Sequence, residues 1–167
     1  VNNWRWAGVP FYLRSGKRLP KRLTEIAIQF TQIPLALFGQ QNLAGEAPNV
    51  LVIRIQPDEG ITLFLGAKVP GSAMRIEPVK MRFSYAEAFG EEPPEAYERL
   101  LLDSLMGDAT LFTRNDEVEE AWRLTQGIIE AWEDQNLRNL PVYEAGTSGP
   151  HGADTFILDD GRRWREI

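Results

Sequence analysis

The chain has 167 residues, 43% hydrophobic and 25% charged, a size and balance that suit a well-packed globular domain and exclude a disordered or low-complexity polypeptide. It contains no cysteine, which removes disulfides, thiol catalysis and cysteine-ligated metal and fits a reducing cytoplasm. A net charge of -6 argues against nucleic acid or a membrane surface as a global partner, and no apolar run approaches the roughly 18 residues of a membrane span, so any anion site must be local.

In chain order, the first run is "WRWAGVPFYLR", Trp4 to Arg14. Its aromatic and β-branched residues predict a strand, with Pro10 at a bulge, an edge or a break. The start lacks the basic residues and apolar core of a signal peptide, and opening in mid-strand points to a piece of a longer protein. Arg14, Lys17, Arg18, Lys21 and Arg22 then place five cations within nine positions. A phosphate loop would need glycine where Phe11 stands and Ser or Thr where Arg18 stands, so that signature fails. Nucleic-acid binding is not supported either, because no stacking aromatics are interleaved with the charges. By residue type alone two readings stay open: a solvated basic loop, or a local site for a phosphorylated small molecule.

Alternating strands follow. "TEIAIQF" sets Ile26, Ile28 and Phe30 against Glu25, Ala27 and Gln29. "NVLVIRIQP" is almost continuously apolar and is expected at the centre of a sheet. The turn-type residues Pro57 to Gly60 join it as a hairpin to "GITLFLGAKV". "VKMRFSYAEAF" alternates Val79, Met81, Phe83 and Tyr85 against Lys80, Arg82 and Ser84, as in an antiparallel sheet with one wetter face.

Helices come next. "PPEAYERLLLDSLMGD" starts at its prolines and Glu95, ends at Gly107, and gathers Tyr97, Leu100, Leu101, Ser104 and Leu105 on one face. In "NDEVEEAWRLTQGIIEAWEDQ" Asn115 is the expected cap. Asp116, Glu117 and Glu119 load the first turns with negative charge, and Val118, Ala121, Trp122, Thr125, Ile129 and Trp132 form the stripe. The tail from Tyr143 is turn-rich with one short helical piece. Strands followed by helices give an α+β fold: a large, mostly antiparallel sheet with helices packed on one side. No repeat and no linker divides the chain.

The remaining chemistry is thin. The lone histidine, His151, falls in a "SGPHGAD" turn and reads as a loop residue. Asp103 and Asp108 read as surface or capping carboxylates, Glu91 and Glu92 as a solvated turn, and the five tryptophans as core and interface anchors. There is no histidine pair for metal and no glycine-rich dinucleotide fingerprint.

Four stretches taken in order, "GVPFYLRSGKRLPKRLTEIAIQF", "NVLVIRIQPDEGI", "PPEAYERLLLDSLMGDATLFTRNDEVEEAWRL" and "YEAGTSGP", closely resemble the C-terminal part of glucose-6-phosphate dehydrogenases of the bacterial type. The resemblance covers essentially the whole chain. It implies that residues 1–167 are part of the C-terminal α+β substrate and oligomerisation domain. The dinucleotide-binding domain and the catalytic histidine of a His-Tyr-Leu-Gly-Lys motif would then lie upstream. It implies an enzyme of the oxidative pentose phosphate pathway that oxidises glucose 6-phosphate at C1 to the 6-phosphogluconolactone with NADP. It also implies a cytoplasmic homo-oligomer, dimer or tetramer, paired through its sheet.

Residue by residue, Lys17 matches the substrate-binding lysine of the family's Arg-x-Gly-Lys segment. Arg22 matches a second basic residue, commonly lysine, five positions later, and Gln56 matches a glutamine near the sugar site. Some eukaryotic members hold a second, structural NADP on this domain. Arg14 and Arg54 match that set, but Leu23, Ala27 and Phe64 stand where it has basic residues, which argues against a second cofactor here. The alternative is a phosphosugar-sensing or interaction domain that has kept the fold without the chemistry.

Overall fold

A computed structural model of the chain describes residues 3–31, 48–71, 76–90, 96–135 and 140–166. The chain divides into two compact units, one built from both ends, Val1–Arg22 with Asn139–Ile167, and one from Leu23–Arg138 between them.

The middle unit is organised by a sheet of four antiparallel strands in the order β1 (Thr24–Gln29), β2 (Val50–Gln56), β3 (Gly60–Lys68) and β4 (Ile76–Ser84). The alternation legible in the sequence sets the faces. Because paired residues share a face, Ile26, Ile53, Ile61 and Phe83 form one cross-strand row, and Ile28, Leu51, Leu63 and Met81 form the next. The opposite face carries the Glu25–Arg54 ion pair at 3.2 Å and Lys80 over the Phe64 ring. It also carries Val52, only 2% exposed, in β2, one of the two interior strands. The β2–β3 hairpin turns through Asp58 at φ +56°. It enters β3 at Gly60, where a Cβ would meet the Phe83 carbonyl oxygen at 2.4 Å. Only glycine fits that approach.

β4 ends one residue sooner than the alternation suggests. Ser84 takes extended backbone and its hydroxyl accepts from the Glu87 N–H at 3.4 Å, so Tyr85 opens the short helix α1 (Tyr85–Phe89) instead of continuing the strand. Phe83, Tyr85 and Phe89 then meet edge to face or tilted, with centroids 5.0–6.4 Å apart. Helix α2 (Ala96–Met106) is closed by Gly107 at φ +72°; Glu91, Glu92, the expected opening prolines and Glu95 lie outside the described residues. In α2, Tyr97, Leu101 and Leu105 are exposed, and Asp103 is buried, at 2%. Asp103 is therefore no surface carboxylate. Arg99, one turn earlier, approaches it at 2.9 Å, the partner that a buried carboxylate needs.

Helix α3 (Asn115–Asp134) starts as expected, but the cap position is Arg114, not Asn115. Glu117 reaches back to accept the Arg114 N–H at 3.2 Å, which satisfies an orphan donor of the first turn and leaves Asn115 as the first helical residue. The Arg114 guanidinium pairs with Asp116 at 2.6 Å.

In the unit of the two ends, Trp4–Arg14 forms no strand. The Asn3 side chain accepts the Arg5 and Trp6 N–H groups at 3.1 and 3.0 Å, and its carbonyl accepts from Ala7 at 2.8 Å. These donors would otherwise feed a ladder, and Gly8 at φ +75° and Pro10 complete the turn. The tail contributes α4 (His151–Asp159), anchored by Ile157 at 3% exposure. His151 is thus the first helical residue after Pro150, not a loop residue. Trp164 donates to the Ala153 carbonyl at 2.9 Å, which folds the tail back along α4.

Candidate functional site

The basic loop lies in the unit of the two ends. Arg14 is occupied within the protein: its guanidinium donates to the Arg165 carbonyl at 3.3 Å and sits 5.2 Å from the Trp164 ring centroid. After it the chain bends at Lys17–Arg18 and again at Pro20–Lys21. Two backbone contacts shape the first bend. The Tyr143 hydroxyl donates to the Lys17 carbonyl at 2.7 Å, and the Gly146 N–H donates to the Arg18 carbonyl at 2.8 Å. Arg18 takes φ +57°, the left-handed region, within that clasp.

The side chains of Lys17, Arg18, Lys21 and Arg22 are exposed, and none of the ion pairs among the described residues involves them. Four unpaired cations in an acidic chain make a local anion-attracting surface. Lysine contributes a compact point charge and arginine a planar fork suited to phosphate oxygens. Each charge-assisted contact is worth about 1.5–3 kcal/mol.

Gln56 belongs to the other unit. It closes β2 opposite Thr24, and its amide nitrogen donates to the Thr24 hydroxyl at 2.8 Å. That bond directs the amide and leaves its carbonyl oxygen with no hydrogen-bond partner among the described residues, an acceptor suited to a hydroxyl group. Arg54, two residues earlier, is committed to Glu25. Asp108 is a turn carboxylate beyond the end of α2, not a helix cap: it accepts from the Thr110 hydroxyl at 2.6 Å and backbone N–H at 2.9 Å, and these bonds hold it below the usual carboxylate range. Within the described residues, no helix is long and apolar enough to cross a membrane.

The family profile described as the glucose-6-phosphate dehydrogenase C-terminal domain matches residues 1–165. The chain belongs to the glucose-6-phosphate dehydrogenase family. Glucose-6-phosphate 1-dehydrogenase of Mycolicibacterium smegmatis is 52% identical over 164 residues, covering 98% of this chain and 33% of the relative. That of Chlamydia pneumoniae is 48% identical over 170 residues, covering 100% and 33%. Among solved structures, glucose-6-phosphate 1-dehydrogenase from Mycobacterium avium superposes with a TM-score of 0.79 at 36% identity, over 99% of this chain and 33% of that one. A glucose-6-phosphate dehydrogenase in complex with its substrate glucose-6-phosphate gives 0.75 at 34% identity, over 90% and 30%. The chain thus spans about one third of the length of these glucose-6-phosphate dehydrogenases.

The family resemblance points to Lys17, Arg22 and Gln56 but not to what shapes the loop. The residues of "YEAGTSGP" read as turn chemistry only. The available signal was an aromatic hydroxyl three residues before a glycine that adopts φ +86°.

Proposed function

We propose that this chain is the substrate-side and oligomerisation portion of a cytoplasmic enzyme of the oxidative pentose phosphate pathway. That enzyme oxidises D-glucose 6-phosphate at C1 to 6-phospho-D-glucono-1,5-lactone, with NADP as acceptor. Residues 1–167 are assigned to its C-terminal α+β domain. Lys17 and Arg22 hold the anionic sugar. The observation that carries this is the exposed loop from Lys17 to Arg22, whose cations enter no ion pair among the described residues while neighbouring Arg14 is tied to Trp164 and Arg165. Membership of a family with a relative solved in complex with glucose-6-phosphate supports the ligand.

The described residues do not fit NADP. A dinucleotide pyrophosphate is seated by a strand, a glycine loop and a helix N-terminus, whereas here β4 passes through Ser84 straight into α1. NADP is therefore assigned to the dinucleotide-binding domain that the family places upstream. Subunit pairing is assigned to the sheet, whose Ile26, Ile28, Ile61, Met81 and Phe83 stand exposed on one face.

The test is steady-state kinetics of the full-length protein. NADP reduction is expected with glucose 6-phosphate and not with glucose, and Arg22→Ala should raise KM for the sugar phosphate more than it lowers kcat. Full-length protein that binds glucose 6-phosphate without reducing NADP would establish a sensing domain instead.

A further inference from the structure

We infer that Tyr143 is a positioning residue for Lys17, which stands on the proposed role of Lys17 in holding the substrate. Tyr143 lies 126 positions away in sequence, yet its hydroxyl donates to the Lys17 carbonyl at 2.7 Å. The preceding residue is shaped to admit it: a Cβ at Gly16 would meet the Tyr143 hydroxyl at 3.0 Å and Leu19 Cδ2 at 3.2 Å. One residue further on, the Gly146 N–H takes the Arg18 carbonyl at 2.8 Å. Arg18 sits at φ +57°, a conformation that a side-chain-bearing residue keeps when its surroundings over-determine it.

Two successive carbonyls of the basic loop are therefore clasped by one short stretch, and the Lys17 side chain leaves a fixed backbone into solvent. A lysine ammonium rides on a flexible four-carbon stem, so a wandering Cα would add to the ordering cost of binding. The clasp removes that part of the cost. Tyr143 itself need not touch the ligand.

The test uses the full-length enzyme and glucose 6-phosphate. Tyr143→Phe deletes only the hydroxyl and is expected to raise KM about three- to tenfold, with kcat and KM for NADP within about twofold. In a Lys17→Ala background the same substitution should add less than about twofold, because it acts through Lys17. Gly16→Ala, which crowds the hydroxyl, should shift KM in the same direction. Thr147→Ala serves as a control: it deletes a hydroxyl bonded to the Glu144 carbonyl in the same turn and should leave KM unchanged. If Lys17→Ala raises KM while Tyr143→Phe does not, or if the two effects simply multiply, the positioning role is wrong and the substrate role of Lys17 stands. If Lys17→Ala leaves KM unchanged, both fall.

Discussion

Tyr12 donates its phenol hydrogen to Asp160 at 2.5 Å and accepts from Arg162 at 3.2 Å. The bond to Asp160 is the main cause that raises the Tyr12 pKa above its ordinary value, and Arg162 opposes it. The folded state thus favours the protonated phenol. Its contribution is complete below the unfolded value of about 10 and fades as pH rises through the folded value. Ultraviolet difference titration, with Tyr12→Phe as the blank, should place the Tyr12 midpoint above that of a free tyrosine, and Asp160→Ala should bring it down. A midpoint unmoved by Asp160→Ala would show that this contact does not exist in solution. Residues differ in how legible they are. Lys17 and Arg22 stand out in the sequence because like charges crowd an otherwise acidic chain. Tyr143 does not, because its partner is a backbone carbonyl 126 positions away and carries no residue-type signal. Asp103 is illegible for a related reason: its burial depends on how α2 is placed, not on the helix pattern.

The strands are the most legible elements, because a period of two that must bury one face leaves little choice of register. The rows Ile26–Ile53–Ile61–Phe83 and Ile28–Leu51–Leu63–Met81 follow from that alternation. Trp4–Arg14 has the same residue types but loses its ladder to the Asn3 side chain, a local competition that β-propensity does not register. Gly60 supplies a test of the sheet. Gly60→Ala drives a methyl toward the Phe83 carbonyl, 2.4 Å from the ideal Cβ, and should cost about 1–3 kcal/mol as β3 and β4 separate. Thermal unfolding of the full-length protein should show this as a lowered midpoint. An unchanged midpoint would mean the β3–β4 register is not as described.

At the scale of the whole molecule, an apolar sheet face and its edge strands call for a partner surface. Met81, at 62% exposure, stands on that face in the outer strand β4. Light scattering at micromolar concentration should give a dimer or larger, and Met81→Glu should shift it toward monomer; a wild-type monomer across that range would remove the sheet as an interface. Residues 1–167 alone should reduce no NADP, since a general base contributes about 10²–10⁴ in rate and His151, the one histidine, opens α4 with its imidazole in no hydrogen bond among the described residues. Turnover that vanishes with His151→Ala would overturn that assignment. The central claim, that the basic loop grips the sugar phosphate, is tested most directly by KM of Lys17→Ala in the full-length enzyme. Loss of at least about 1.5 kcal/mol should raise KM for glucose 6-phosphate by about tenfold or more, with Arg18→Ala leaving it within about twofold. A Lys17→Ala enzyme whose KM stays within about twofold of wild type would contradict it.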